Sequence, residues 1–179
     1  MGLFGLLRRK PHERTGFELY TAAVAAAREP ALFAAGVPDT LEGRFEAISL
    51  HVGLLVHRLR HDPDPRGAPI AQAVFDAMFA DMDLNLREMG VGDMSIGKRV
   101  KRLWENFHGR ARAYEAAIAA PGNAAWEEAL ARNLWAGSAP EGAPARLAAH
   151  ARVLEAWLAA QPFEALAGGR LALPRMEAA

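Results

Sequence analysis

The sequence contains no cysteine among its 179 residues. Disulfide bonds, thiol catalysis and cysteine-ligated metal are therefore excluded, and the composition suits a reducing compartment. Lysine plus arginine number 21 and aspartate plus glutamate number 21, so the formal net charge is zero. No overall field then favours a nucleic acid or an anionic membrane, and any electrostatic targeting must come from a local patch.

Long apolar runs are also missing. No run approaches the roughly 18 residues that a membrane-spanning helix needs. The first ten residues, MGLFGLLRRK, place their charges after the apolar residues, which is the reverse of a secretory signal. We expect residues 1–14 to form a flexible segment, and the alternative is a weak interfacial anchor over residues 2–10.

Strand patterns are absent as well, because no run combines β-branched residues with period-two alternation. Helical periodicity runs through almost all of the chain. With 179 residues and 51% apolar composition, the chain is long enough for one well-cored domain and short for two. The sequence predicts an all-α, single-domain bundle of about six helices. The domain is expected over residues 15–161, followed by a tail at 162–179.

Capping residues indicate where the first helices begin. Thr15 and Glu18 have the spacing of a capping box and predict a helix that opens at Thr15. Asp39 or Thr40 is predicted to cap a helix of about six turns. Its buried stripe has alternating four- and three-residue spacing and comprises Leu41, Phe45, Ile48, Val52, Leu55 and Leu59.

The middle of the chain is predicted to hold two long helices. Three prolines in the loop 62–69 end the preceding helix. One helix is predicted at 70–89 and another from about residue 93 to about residue 120. Asn123 is predicted to cap a shorter helix, and a last long helix follows the stretch 137–144.

Residues 92–98 match the first seven positions of a phosphate-binding loop. The eighth position, however, holds Arg99 instead of the serine or threonine that binds magnesium. The preceding segment 70–89 also has the pattern of an amphipathic helix, whereas the motif needs a buried strand. We therefore interpret these residues as a turn between helices, with Asp93 as the N-cap, and a nucleotide-dependent enzyme is the less favoured alternative.

Metal ligands and catalytic groups do not assemble in the sequence. His57 and His61 have the four-residue spacing that can chelate zinc, but no glutamate lies between them as a metalloprotease motif requires. Four acidic residues have spacings that place them on different helix faces: Asp76, Asp81, Asp83 and Glu88. No Ser–His–Asp set can be assigned. The sequence predicts no catalytic residue, no metal and no cofactor.

A methionine-bearing stripe and a cationic helix start lie on either side of the predicted turn. Most of the stripe is expected in the core, but methionine is also common where a surface adapts to varied apolar partners. Cations are disfavoured near a helix start, so their presence indicates a patch that faces anions, with a solvated face as the alternative. Aromatic residues are not interleaved with these cations, and nucleic-acid readout is not expected.

Several short runs of residues resemble the ubiquinol–cytochrome c chaperone family, the assembly factors of the respiratory cytochrome bc complex, and they occur in the order that the family shows. The resemblance covers roughly residues 19–160, and His108 stands where an aromatic tyrosine is expected. The runs that carry it are Val37-Pro38-Asp39-Thr40, Gly43-Arg44-Phe45, Leu50-His51, Asp81-Met82-Asp83, Leu86-Arg87-Glu88, Gly90-Val91-Gly92-Asp93, Gly97-Lys98, Val100-Lys101, Phe107-His108-Gly109-Arg110 and Tyr114.

The resemblance implies a non-enzymatic chaperone that binds newly made cytochrome b and supports biogenesis of the ubiquinol–cytochrome c reductase complex. The short, alanine-rich chain suits the bacterial branch, which implies a cytoplasmic location, peripheral to the inner membrane, with transient membrane or ribosome contact. A membrane-surface scaffold or adaptor without a dedicated client is the alternative. The residues expected to bind the client are Phe79, Met82, Met89, Val91, Met94, Lys98, Arg99, Lys101 and Arg102.

Overall fold

The computed structural model describes residues 12–90 and 92–176, apart from the side chains of Asp93 and Met94. These residues form eight helices and no strand: α1 (Glu13–Ala27), α2 (Pro30–Ala34), α3 (Leu41–Arg60), α4 (Gly67–Glu88), α5 (Asp93–Ala119), α6 (Ala124–Trp135), α7 (Ala143–Ala160) and α8 (Phe163–Ala167). The all-α prediction is confirmed. The number of helices differs from about six because the short helices α2 and α8 also form, and α8 lies in the segment that was predicted as a tail.

The helix starts test the capping predictions. Thr40 is the N-cap of α3, and its hydroxyl accepts a hydrogen bond from the Gly43 amide at 3.1 Å, as predicted. The prediction for α1 was wrong, because that helix begins at Glu13 with His12 as its N-cap. The Thr15 hydroxyl instead donates to the carbonyl oxygen of Ala167 at 3.4 Å. The Thr15 side chain therefore forms a hydrogen bond to a residue that is distant in the sequence instead of a local capping box.

The junction between α4 and α5 is a tight turn. Gly90 has φ of 76°, a left-handed conformation that glycine adopts without the penalty of a Cβ. The N-cap of α5 is Gly92, in an extended conformation, so the prediction of Asp93 as the cap was wrong and Asp93 is the first helical residue. A helix precedes the loop-like segment 92–98, as expected for a helix–turn–helix junction and not for a phosphate-binding loop.

Helix α3 lies at the centre of the bundle and packs against α1, α4, α5, α6 and α7. Its apolar residues are covered on several sides, and Val52, Leu55 and Leu59 have no exposed surface. Leu41 was predicted in the same buried stripe, but it is 53% exposed. It is the first residue of α3, and it lines an open groove.

A buried ion pair fixes α5 against α3. Arg110 Nε donates to Glu46 Oε1 at 2.9 Å and to Oε2 at 2.8 Å, and Glu46 is almost completely buried. Burial raises the pKa of the Glu46 carboxyl, and the Arg110 guanidinium opposes that rise. The charge-assisted hydrogen bonds therefore tie this face of α5 to α3.

The short helix α8 also packs on the bundle. Leu166 of α8 is fully buried. Arg66 lies 5.0 Å from the centre of the Phe163 ring and forms an ion pair with Glu164. No helix in the described ranges is both long and apolar enough to cross a membrane.

Candidate functional site

An open groove of about 630 Å³ lies where the start of α3, the end of α4 and the first turns of α5 meet. Its apolar surface comes from three helices and comprises Leu41, Phe45, Ile48, Met82, Leu86, Met89 and Leu103. Met82 and Leu86 are buried and form the floor, and Met89, 58% exposed, stands at the edge. The groove thus offers a covered apolar floor beside a flexible methionine in contact with solvent.

A hydrogen bond between helices supports one wall of the groove. The Tyr20 hydroxyl of α1 donates to Asp81 Oδ2 of α4 at 2.7 Å, and both residues line the groove. Burial, followed by the bond to Asp81, raises the pKa of Tyr20. The phenol therefore keeps its proton at neutral pH and stays a donor to the carboxylate, which holds α1 and α4 together at this end.

Positive charge is concentrated on the α5 side of the groove. Arg99 and Arg102 line it, both are exposed, and neither forms an ion pair with a side chain that the structure describes. Arg44 also lines the groove, but Asp39 neutralises it at 2.8 Å. Arg28, directly after α1, also lines the groove, is exposed and has no ion-pair partner among the described side chains. Three guanidinium groups, two of them on α5, therefore stand at the groove with their hydrogen-bond donors available to an outside acceptor.

The nine residues predicted for client binding separate into groups. Met82, Met89, Arg99 and Arg102 line the groove together. Lys98 and Lys101 are exposed on the same helix but do not line it, and Lys101 lies 3.8 Å from Glu105. Val91 and the side chain of Met94 lie outside the described residues. The assignment of all nine to one client site stays a prediction.

Phe79 belongs to a separate aromatic cluster between α4 and α5. Its ring lies 4.6 Å from that of Phe75 and 6.4 Å from that of Phe107. The His108 ring contacts that of Trp104 at a tilt of 33° with centres 4.0 Å apart, and Trp104 is 45% exposed. The histidine that stands in place of an expected tyrosine therefore still packs as a ring among aromatic neighbours.

Sequence reasoning missed the contributions of α1 and the start of α3 to the groove. Tyr20 belongs to α1 and Arg28 is its C-cap, and both precede Met82 by more than fifty positions. Periodicity cannot find such neighbours, because it reports one helix at a time. The run Gly43-Arg44-Phe45 was a usable signal, since Arg44 and Phe45 both line the groove.

These features define an all-α helical bundle with an open, partly apolar and partly cationic groove at one end. The family model described as ubiquinol-cytochrome C chaperone matches residues 33–173. The chain belongs to this family. The crystal structure of the Cbp3 homolog from Brucella abortus is similar to it, with a TM-score of 0.81 and 36% identity, covering 98% of each chain. No curated protein matches the chain.

Proposed function

We propose that the protein is a non-enzymatic chaperone that binds newly made cytochrome b and supports assembly of the ubiquinol–cytochrome c reductase (cytochrome bc) complex. Family membership and the similarity to the Cbp3 homolog support the assembly role. The observation that carries the client site is the groove, where Met82, Leu86 and Met89 lie next to Arg99 and Arg102. Apolar floor and cationic wall suit a client made of apolar helices and charged loops.

The groove offers two kinds of contact to such a client. Covering the exposed part of Met89 with apolar surface contributes up to about 1.5 kcal/mol, since full burial of a methionine is worth roughly 1.5–3 kcal/mol. Arg99 and Arg102 add ion pairs worth about 0.2–1 kcal/mol each while they stay exposed to water. The two kinds of contact would thus contribute comparable free energies, and the arginines would also orient the segment that carries acidic groups.

The proposal concentrates the client site on Met82, Met89, Arg99 and Arg102, since these four share the groove. Phe79, Lys98 and Lys101 would contact client segments that extend beyond it. We place the protein in the cytoplasm, peripheral to the inner membrane, where it would meet a membrane protein as it is made. The proposed chaperone domain is residues 15–161, and the proposed tail is 162–179.

Site-specific photocrosslinking in cells tests this client site. Photoreactive groups at Met89 and Arg102 are expected to recover cytochrome b, because both side chains line the groove and both residues are exposed. The matched control is Val153 on α7, which is 52% exposed and does not line the groove. Met82 is unsuitable because it lies in the floor.

Recovery of cytochrome b from both groove positions and not from Val153 supports the proposal. Failure at both groove positions, or equal recovery from all three, contradicts it. Recovery of lipid alone at the groove would favour the membrane-surface scaffold that is the alternative function.

A further inference from the structure

Three side chains with metal-ligating atoms converge at the end of α3, on a part of the surface that does not include the groove. His57 and His61 come from α3, and Glu115 comes from α5. One ligand atom from each lies within 4.8 Å of the others. His61 Nε2 is 3.7 Å from Glu115 Oε1, and the two imidazole rings have centres 4.1 Å apart. The sequence alone showed two of these donors, and the fold supplies the third.

Hydrogen bonding leaves the outer nitrogen of His61 free to bind. His61 Nδ1 lies 2.9 Å from the carbonyl oxygen of His57. A carbonyl oxygen only accepts, so Nδ1 carries the proton and Nε2, the atom nearest Glu115, has an available lone pair. This arrangement of one ring nitrogen bonded to the protein and the other directed outward is the usual one for a metal-binding histidine.

A second carboxylate, that of Glu155, also acts electrostatically on His57. Glu155 is paired with Arg152 at 2.9 Å, so Glu115 is the carboxylate available to the histidines.

The two helices hold these donors on a rigid base. Tyr114, next to Glu115, is fully buried and stacks on Trp126 with ring centres 5.3 Å apart. Its ring packs against Gly53 of α3, where a Cβ would lie 3.5 Å from the ring. His61 is the C-cap of α3, and the negative end of a helix dipole favours a bound cation.

We propose that His57, His61 and Glu115 bind a divalent transition metal ion, with zinc as the ion to test. Ligand atoms on a tetrahedral zinc lie about 3.3 Å apart, given zinc–nitrogen bonds of ~2.0–2.1 Å. The 3.7 Å separation of His61 and Glu115 is already close to that value. Glu115 and His61 are exposed, so small side-chain rotations close the remaining distances, and water completes the fourth position.

The bound ion joins α3 to α5 and stabilises the folded chain in proportion to its affinity. The test measures Zn²⁺ binding to the full, tag-free chain by calorimetry, and the thermal midpoint with and without Zn²⁺. One ion per chain is expected to bind, with a rise in the thermal midpoint. His61→Ala and Glu115→Gln are each expected to weaken binding at least about tenfold and to remove most of that rise.

His108→Ala is the matched control. His108 Nδ1 bonds the carbonyl oxygen of Trp104 at 3.0 Å, which is the same local geometry, but His108 is not part of the cluster. This variant is expected to keep the affinity for Zn²⁺. The proposal is overturned if the unchanged chain binds no Zn²⁺ in a saturable manner, or if His108→Ala weakens binding as much as Glu115→Gln.

Spectroscopy with Co²⁺ in place of Zn²⁺ provides a readout that does not depend on stability. Tetrahedral coordination gives strong visible absorption, which is expected for the unchanged chain and lost in Glu115→Gln. A spectrum identical to that of aqueous Co²⁺ contradicts the proposed site. None of these outcomes depends on the client, so the experiments test the metal site independently of the chaperone function.

Discussion

Burial lowers the pKa values of two histidines in the core, His51 and His150. His51 is buried between α3 and α7, with its ring 5.7 Å from that of His150. Its Nδ1 bonds the carbonyl oxygen of Ala47 at 2.8 Å, and its Nε2 has no partner among the described residues. Burial lowers the pKa of His51 from 6.5 to about 4, and burial lowers that of His150 as well. Both rings are therefore neutral in the folded protein at pH 7.

This lowered pKa predicts a loss of stability in mild acid. The unfolded chain takes up the proton near pH 6.5 and the folded chain only near pH 4, so the contribution of His51 is complete above pH 6.5 and falls as the pH approaches 4. The expected loss from His51 is about 3 kcal/mol over that window, from a shift of about 2.5 units. Urea unfolding at several pH values measures it.

The variant His51→Asn tests whether this residue is the cause. The slope of unfolding free energy against pH between about 6.5 and 4.5 is expected to become shallower in this variant. His108→Gln, which removes a partly exposed histidine, is expected to keep the original slope. An unchanged slope in His51→Asn would show that another group is responsible.

At the scale of helices, close approach depends on glycine at particular positions. Gly16 of α1 faces α4 so closely that a Cβ there would lie 2.5 Å from the carbonyl carbon of Ala73. Backbone atoms cannot move aside as a flexible side chain can. The helix pair therefore requires glycine at this crossing, whereas a Cβ at Gly109 of α5 would meet nothing within 4 Å.

Alanine substitution at these two glycines is expected to have opposite effects. Gly16→Ala should destabilise the fold by about 1–3 kcal/mol, because it forces α1 and α4 apart. Gly109→Ala should stabilise it by roughly 0.5–1 kcal/mol, because alanine is the better residue in an open helix interior. Chemical denaturation of the two variants measures the difference. Equal effects would mean that helix propensity, and not the α1–α4 contact, decides.

For the whole molecule, the groove gathers side chains from four helices into one surface. Of the four cations near the start of α5, Arg99 and Arg102 line it, and Lys98 and Lys101 do not. Under the proposed function, these two pairs contribute differently although they are neighbours in the sequence. The double variants Arg99→Glu/Arg102→Glu and Lys98→Glu/Lys101→Glu change net charge equally, which separates local contact from overall field.

The arginine double variant is expected to retain several-fold less cytochrome b on affinity capture than the unchanged protein, since acidic side chains replace the two guanidinium groups of the groove. The lysine double variant should retain more than the arginine variant. All four residues are exposed, so both variants should unfold at nearly the same denaturant concentration as the unchanged chain. If both double variants lost cytochrome b equally, net charge would explain the loss and the groove would not be the client site.

Much of the secondary structure could be predicted from the sequence because its causes are local. Pro63 and Pro65 between α3 and α4, the cap at Thr40 and the four-three periodicity of α3 act over a few residues. The loop predicted at 62–69 is shorter than expected, because α4 begins at Gly67 and Pro69 lies in its first turn, where proline is tolerated. Local signals failed where a distant partner intervened. Thr15 has a capping spacing but bonds the carbonyl oxygen of Ala167, which lies 152 positions away.

The site depended more on long-range packing than the helices did. Periodicity marks the apolar face of α4, but the helices that cover it determine that Met82 is buried and Met89 is exposed. The orientation of α5 likewise determines which of its cations line the groove, since Arg102 does and its sequence neighbour Lys101 does not. The family resemblance supplied the function to be tested, and the fold then indicated which of its residues share a surface.

Composition and local pattern alone were enough to exclude thiol chemistry and to predict an all-α bundle with most of its helix ends. They could not place Glu115 beside His61, set Arg110 on the buried Glu46, or bring Tyr20 and Arg28 to the groove. These neighbours belong to different helices. Hydrophobic periodicity shows which face of a helix must be covered. Side-chain packing between helices determines which other helix covers that face and how the two helices are rotated against each other.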